Sequence, residues 1–178
     1  MEFNPTDISG CCLLTPFSHS DDRGGFVKFY NADAYAKSEL DFHIKEIYYS
    51  SSKKNVFRGF HFQMPPADHT KIVNCFTGSI IDFVLDLRNT SETFGKCIAL
   101  EINAENKQAV YIPKGCAHGF LSLEDDTIVT YLQETVYNPD ADSGILWSSV
   151  DMPYEIIDPI LSPRDQGFQS LQQFKSPF

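Results

Sequence analysis

Short apolar runs separated by turn residues recur along the whole chain. Runs of this length, rich in Val, Ile, Thr and aromatic side chains, are typical of β-strands. The pattern predicts strands at 10–15, 25–30, 44–51, 56–63, 70–76, 79–87, 96–102, 108–112, 118–123 and 127–137. Because amphipathic segments of helical length do not alternate with these runs, the pattern disfavours a parallel α/β fold and favours an all-β sandwich or barrel.

Helices are expected only at the periphery. Asn31 can open a short helix over 32–40, and 171–174 can form a last helical turn. From Pro139 onward the sequence is loop-like, and it contains neither an internal repeat nor a linker. A chain of 178 residues without such a boundary is predicted to form a single domain, 1–178.

The run 79–87 has two different faces when it is built as a strand. One face is wholly apolar and carries Ile81, Phe83, Leu85 and Leu87. The other face places Asp82 and Asp86 beside Ile80 and Val84. Carboxylates among apolar residues predict a barrel with a partly polar interior. Asp86, near the strand end, is expected to meet solvent.

Charge limits the possible partners. The formal net charge is -10 and the pI is about 4.8, which argues against nucleic acid or an anionic membrane, since both need a basic face. A small anionic ligand remains possible, because a pocket can be locally basic. No apolar run of about 18 residues and no basic start followed by an apolar stretch is present, which predicts a cytoplasmic location.

The cysteines predict no disulfide framework. Their number is odd and no two form a CxxC pair, so reduced, buried thiols are expected at positions 11, 12, 75, 97 and 116.

The run RGFHFQ at 58–63, followed by Lys71, is the strongest chemical signal. It places a guanidinium, an imidazole and an ammonium on two adjoining strands, which indicates a site for an anionic substrate and for proton movement. Arg58 and His61 differ in strand parity, so both can reach one ligand only if the strand bulges or twists near Gly59. The remaining histidines His19, His43 and His69 are expected at the surface.

Several motifs occur together and in order. They are RGFHFQ at 58–63, KIV at 71–73, DLR at 86–88, IPKGCAHGF at 112–120, YNP at 137–139 and LSPRD at 161–165. From Asp22 to Asp165 this ordered set resembles the dTDP-4-dehydrorhamnose 3,5-epimerase family. The resemblance implies a cupin-type jelly-roll barrel with short peripheral helices, a homodimer, and no metal or organic cofactor. The implied substrate is a nucleoside-diphosphate 4-keto-6-deoxy sugar that is inverted at C3 and C5.

The resemblance also implies roles for individual residues. By position, the proton-abstracting His falls on His61, its Asp partner on Asp165, the Lys on Lys71 and the proton-donating Tyr on Tyr131. The residues implied to bind substrate are Arg23, Phe26, Lys28, Glu46, Tyr48, Arg58, His118, Tyr137, Asp142 and Arg164.

The chemistry fits these residue types. A hydrogen beside a ketone can be removed because charge spreads onto the carbonyl oxygen. An imidazole, with an ordinary pKa of about 6.5, is a suitable base; this role is expected of His61, and Asp165 would orient it. Lys71 can stabilise the enolate oxygen, an effect worth roughly 3 to 4 kcal/mol per donor. Inversion needs an acid on the opposite face, which is the role expected of Tyr131.

Four positions depart from the family pattern. Lys28 stands where Glu is usual, Glu46 and Tyr48 replace Gln and Asn, and Asp142 stands where Glu is common. The sequence therefore predicts retained chemistry with altered substrate recognition. A different nucleobase, a different sugar, or inversion at one carbon all remain open, as does a simple ion pair between Lys28 and Glu46.

Three alternative functions share parts of this pattern. A nucleotide-sugar 3,4-ketoisomerase would also work through an enolate on the same barrel. A metal-dependent cupin is disfavoured because His61-Phe62-Gln63 lacks the usual His-x-His pair. A non-catalytic nucleotide-sugar-binding cupin is disfavoured because binding alone does not need His61, Asp165, Lys71 and Tyr131 together.

Overall fold

The structure is a computed structural model that describes residues 1–38, 40 and 42–178. Strands form two large antiparallel sheets and a separate hairpin. The six-stranded sheet has the order β1 (Glu2–Pro5), β2 (Cys12–Thr15), β10 (Ala109–Ile112), β7 (Lys71–Thr77), β12 (Thr127–Gln133) and β5 (Glu46–Ser52). The five-stranded sheet has the order β13 (Asp142–Gly144), β6 (Phe57–Gln63), β11 (Cys116–Ser122), β8 (Ser79–Asp86) and β9 (Cys97–Asn103). The hairpin pairs β3 (Phe17–Asp21) with β4 (Gly24–Lys28).

Helical structure is peripheral, as predicted. Helix α1 (Ala32–Lys37) begins after Asn31, whose side chain accepts a hydrogen bond from the amide of Ala34. The predicted segment 32–40 is thus confirmed over Ala32–Lys37, while residue 39 lies outside the described residues. Helix α2 (Pro163–Gln166) was not predicted, and a single 3-10 turn spans Trp147–Ser149. The predicted last helical turn at 171–174 is a hydrogen-bonded turn.

Three apolar clusters hold the sheets together. The first lies between the sheets and joins Val73 and Val129 of one sheet to Ile80 and Val84 of the other. A second covers the outer face of the five-stranded sheet with the C-terminal segment. A third covers the outer face of the six-stranded sheet around Tyr35. Burial on both faces explains why every residue of β8 is buried. At about 25 cal/mol per Å² of apolar surface, this burial is the main stabilising contribution.

The environment of Asp86 contradicts the prediction that this residue meets solvent. Its side chain is 0% exposed, because the turn after β8 folds over it. The carboxylate accepts hydrogen bonds from Arg88, Ser91 and Thr93. Burial raises the pKa of Asp86, but these hydrogen bonds outweigh burial and bring it to about 2. The prediction of a solvated Asp86 was wrong, whereas the polar interior predicted from Asp82 is confirmed, since Asp82 is fully buried and paired with His118.

All five cysteines are free and buried, as predicted. Among the described residues, none of the helices is long and apolar enough to cross a membrane.

Candidate active site

A bulge in β6 shapes the site. His61 lies opposite His118 on β11, while Arg58 lies opposite Phe120, so β6 carries one residue more than β11 over this interval. The predicted irregularity at Gly59 is therefore confirmed. Gly59 has a φ of 135°, and a Cβ atom built there would lie 2.4 Å from the Cα of Gly119. Only glycine fits this close approach of two strands.

A cavity of about 320 Å³ opens at one end of the two sheets. It brings together residues that are far apart in sequence, many of them predicted site residues. Its lining consists of Glu46, Tyr48, His61, Phe62, Gln63, His69, Lys71, Gln133, Tyr137, Asp142 and Arg164.

His61 and Asp165 form an ion-pair-like contact at the cavity wall. His61 Nε2 lies 2.7 Å from Asp165 Oδ1, and helix α2 presents the buried carboxylate after Ser162 caps that helix. Burial raises the pKa of Asp165, but its contact with His61 outweighs burial and lowers it. A carboxylate can only accept, so the proton of a neutral His61 belongs on Nε2, and Nδ1 carries the lone pair. His61 Nδ1 has no protein hydrogen-bond partner among the described residues and is available as a base.

Lys71 is a buried cation beside this pair. Its Nζ lies 3.5 Å from the carbonyl oxygen of His61. Burial lowers the pKa of Lys71 to about 8, although the charges of Asp142 and Asp82 act in the opposite direction. An ammonium held in a partly desolvated cavity is well suited to stabilise a developing oxyanion.

Tyr131 lies on β12, across the interior from His61 on β6. It is buried, its ring stacks on Tyr48, and its hydroxyl lies 3.2 Å from that of Ser50. Burial raises the pKa of Tyr131, which keeps the phenol protonated at neutral pH. The cavity lining includes its neighbours Tyr48 and Gln133 but not Tyr131 itself.

His118 and Arg58 are held by the protein itself. His118 Nε2 donates to Asp82 Oδ2 at 2.6 Å, and burial lowers the pKa of His118 while it raises that of Asp82. Arg58 donates to the side chain of Ser52 at 3.0 Å and to the carbonyl of Ser51 at 2.9 Å. Both therefore lie beside the cavity rather than in its lining.

The cavity mouth is formed by a chain of polar contacts. Glu46 accepts a hydrogen bond from the amide of Tyr137 at 2.6 Å. The Tyr137 hydroxyl donates to Asp142 at 3.0 Å, and Arg164 pairs with the same carboxylate at 2.7 Å. These four predicted binding residues thus hold one another in place at the entrance.

The hairpin residues Arg23, Phe26 and Lys28 lie outside the cavity of their own chain. The Arg23 side chain is 90% exposed and pairs with Asp21. The Lys28 ammonium lies 6.0 Å from the centre of the Phe26 ring. Since Glu46 is bound to Tyr137, the ion pair considered between Lys28 and Glu46 is not formed within this chain.

Comparison with known proteins identifies the family. The family model for dTDP-4-dehydrorhamnose 3,5-epimerase matches residues 5–173. The chain belongs to this family. The dTDP-4-dehydrorhamnose 3,5-epimerase of Escherichia coli K12 is 36% identical over 174 residues, covering 94% of this chain and 93% of that protein. The dTDP-4-dehydrorhamnose 3-epimerase of Streptomyces niveus is 32% identical, covering 93% and 82%.

Solved structures agree with the sequence relatives. The Bacillus anthracis dTDP-4-dehydrorhamnose 3,5-epimerase, crystallised with TDP and PPi bound, has a TM-score of 0.92 and 34% identity, covering 96% of this chain and 99% of that one. NovW, a 4-keto-6-deoxy sugar epimerase of Streptomyces spheroides, has a TM-score of 0.90 and 32% identity, covering 97% and 88%. The predicted cupin-type jelly roll is confirmed, and the protein is an isomerase of the epimerase class.

Sequence reasoning misplaced one residue of the cavity lining. His69 was expected at the surface but is 7% exposed and lines the cavity. Its Nδ1 lies 2.8 Å from the Thr135 hydroxyl and 3.1 Å from Gln63 Nε2. Burial, with a contribution from Lys71, lowers the pKa of His69 to about 3, so the ring is neutral. Its position two residues before Lys71, the first residue of β7, was the available signal.

The epimerase presents no obvious metal centre. Over residues 1–38, 40 and 42–178, no group of three or more His, Cys, Asp or Glu side chains is placed to hold a metal ion. Independence from metal and organic cofactors stays a prediction.

Proposed function

We propose that this epimerase inverts C3, C5 or both centres of a nucleoside-diphosphate 4-keto-6-deoxy sugar through an enolate, with His61 as base and Tyr131 as acid. The observation that carries the proposal is the contact of 2.7 Å between His61 and Asp165 at a cavity that also holds Lys71. The names of the relatives support sugar epimerisation.

The proposed first step is removal of a proton from the carbon beside the ketone. His61 Nδ1 takes the proton, and the electron pair of the broken C–H bond passes into an enolate whose oxygen carries the charge. Asp165 holds the ring and stabilises the imidazolium. Lys71 stabilises the enolate oxygen.

The second step returns a proton to the same carbon from the other side. Tyr131 donates its hydroxyl proton and a C–H bond of opposite configuration forms. The phenolate then recovers a proton from solvent, and the His61 imidazolium releases the abstracted proton to solvent. His61 and Tyr131 lie on opposing sheets, β6 and β12, which supports such two-sided chemistry. Ser50, 3.2 Å from the Tyr131 hydroxyl, can donate to the phenolate while it is charged.

Substrate binding is proposed for the remaining predicted residues. Tyr48, Tyr137, Glu46, Asp142 and Arg164 line the cavity and can contact the nucleotide or sugar. Arg58 and His118 can act from beside it. A nucleotide-linked ligand is supported by the relative crystallised with TDP and PPi bound.

The proposal includes assembly of the protein as a homodimer. Arg23, Phe26 and Lys28 lie on a hairpin that pairs with neither large sheet, and Phe17 and Phe26 are more than half exposed there. Exposed aromatic side chains on a projecting element are typical of a protein interface. In a symmetric dimer this hairpin can reach the partner's cavity and serve the binding role predicted for it.

The proposal is tested by incubation in deuterated water with dTDP-, CDP- and GDP-linked 4-keto-6-deoxy sugars. Deuterium with inversion at two carbons is expected for a 3,5-epimerase, and at one carbon for a restricted epimerase. Tyr131→Phe should reduce inversion by roughly 10²-fold and leave solvent exchange with retained configuration. A product with its carbonyl moved from C4 to C3 would identify a ketoisomerase, and no exchange with any sugar would refute the proposal.

A further inference from the structure

Tyr48 and Tyr131 form a stacked pair across two neighbouring strands. They lie directly opposite each other in the register of β5 and β12. Their ring centres are 4.6 Å apart, and the ring planes differ by 16°. Stacked aromatic rings attract each other beyond the effect of the area they bury, which favours one orientation of the Tyr131 ring.

The Tyr48 ring is fixed at its far end as well. Its hydroxyl accepts a hydrogen bond of 2.7 Å from the side-chain amide of Gln133, a buried residue on β12. The ring therefore cannot turn away from Tyr131 without losing this bond.

The Tyr131 ring is confined on other sides by Ser50 and His118. Its hydroxyl contacts Ser50 at 3.2 Å, and the His118 ring lies edge-on with its centre 6.0 Å away. Neither contact covers the ring face on which Tyr48 stacks. Tyr48 is thus the residue that controls this face.

Tyr48 also lies at the cavity wall beside Tyr131. Tyr48 lines the cavity and is 41% exposed, whereas Tyr131 is buried. A half-exposed tyrosine on the edge strand of a sheet is not needed to fill the core. The position of Tyr48 at the cavity wall is better explained by its contact with the Tyr131 ring.

We propose that Tyr48 is a positioning residue for Tyr131: its stacked ring holds the phenol hydroxyl in the direction of proton delivery and keeps water from that ring face. The inference rests on the proposed function, in which Tyr131 is the acid. Burial contributes most to the raised pKa of Tyr131, so loss of Tyr48 would also make the phenol easier to ionise.

The test compares wild type, Tyr48→Phe and Tyr48→Leu in deuterated water with a nucleotide-linked 4-keto-6-deoxy sugar. The measured quantity is the ratio of inverted product to substrate that exchanged with retained configuration. Lys71 and His61 act in both processes, so this ratio isolates Tyr131. Tyr48→Phe keeps the stack and should keep the wild-type ratio. Tyr48→Leu keeps apolar volume without a stack and should lower the ratio on the order of tenfold, since small misplacements near the reacting atoms are costly.

The pH dependence of the ratio is a second measurement. Because burial raises the pKa of Tyr131, the wild-type ratio should stay level beyond pH 10, the ordinary pKa of tyrosine, and in Tyr48→Leu it should begin to fall nearer pH 10. Tyr154→Ala removes a partly exposed tyrosine from the outer face of the five-stranded sheet and serves as the control, with an unchanged ratio expected.

The outcomes separate the two proposals. If the wild type exchanges protons and inverts its substrate, and Tyr48→Leu keeps the wild-type ratio, the role proposed for Tyr48 is overturned. The proposed function would remain intact. Loss of thermal stability without a change in the ratio would show that Tyr48 only packs. Absence of exchange in wild type would overturn the proposed function and this inference with it.

Discussion

At the scale of single residues, His61 is distinguished by the different surroundings of its two nitrogens. Nε2 is bound to Asp165 at 2.7 Å, and Nδ1 is left for a ligand. An orienting carboxylate fixes the tautomer and stabilises the imidazolium without taking the proton itself. Removal of the base and removal of its orienting group should therefore have different effects.

We expect His61→Asn to abolish proton exchange and to leave nucleotide binding within a few-fold of wild type. Asp165→Asn should retain the fold and slow exchange by up to roughly 10⁴-fold, the effect of a similar change in a catalytic triad. Solvent deuterium incorporation measured by NMR, with calorimetric nucleotide binding, checks both. His61→Asn with near-normal exchange would mean that another residue is the base.

Lys71 is placed at a cost to stability. Its ordinary pKa of 10.5 is lowered by burial to about 8. Between these two values the unfolded chain binds more protons than the folded protein, so this group's contribution to stability improves as pH rises through that window. Below about pH 8 the folded protein carries the full cost of the buried charge.

Lys71→Met should consequently raise the free energy of unfolding at pH 7, by on the order of 3 kcal/mol, while it removes activity. The gain should shrink as pH rises from about 8 toward 10.5, and wild-type kcat/KM should fall through about pH 8 as the ammonium loses its proton. Urea unfolding and pH-rate profiles measure these effects. Lys53→Met, at an exposed position, is the control. A loss of stability in Lys71→Met at pH 7 would contradict the expected cost.

At the scale of elements, the bulge in β6 determines which side chains reach the site. In a regular strand Arg58 and His61 would point to opposite faces. The extra residue in β6 opposite β11 removes this conflict, and it requires the two strands to approach closely at Gly59 and Gly119. The shape of β6 at the cavity therefore depends on Gly59 as much as on His61.

Gly59→Ala should destabilise the protein by more than about 2 kcal/mol, since its Cβ would lie 2.4 Å from Gly119 Cα and 2.8 Å from the His118 carbonyl oxygen. Gly95→Ala is a matched control, because Gly95 also has a positive φ, of 79°, but has nothing within 4 Å of an added Cβ. It should show only the cost of backbone strain, about 1 to 2 kcal/mol. Denaturant unfolding compares the two, and equal losses would show that crowding at Gly59 is unimportant.

At the scale of the whole molecule, an acidic protein places cations at its cavity. The net charge is -10, yet Lys71 lies in the cavity and Arg164 at its entrance. The hairpin with Arg23 stands apart from this cavity. The charge at the cavity therefore depends on where individual charged residues lie and not on the net charge of the chain.

Mixing two inactive variants tests whether the hairpin serves a second copy. His61→Asn supplies an intact hairpin, and Arg23→Ala supplies an intact cavity, so their mixed dimer should contain one complete site and regain activity. Mixing His61→Asn with Asp165→Asn should give no gain, because both changes fall on the same cavity. Light scattering gives the mass of each mixture. A monomer, or equal behaviour of the two mixtures, would refute a hairpin that acts between copies.

The sequence by itself determined most of the strands, the peripheral position of helices and the principal chemical groups, but it missed β1, β3 and β13. Alternation along 79–87 was enough to predict a polar interior at Asp82, and the parity conflict between Arg58 and His61 was enough to predict a bulge at Gly59. These inferences succeed because strand periodicity and glycine conformation are local properties of the chain.

Tertiary structure alone decided burial and pairing. Asp86 and His69 both read as solvated residues, yet the turn at 88–93 and the contacts of Gln63 and Thr135 bury them. The stack of Tyr48 on Tyr131 depends on the pairing of β5 with β12, which are 75 residues or more apart in sequence. Such features depend on which distant strands pair with each other. The periodic pattern within one strand does not specify which other strand it pairs with. The sequence therefore supplied the chemistry, and the packing of the two sheets decided where each group could act.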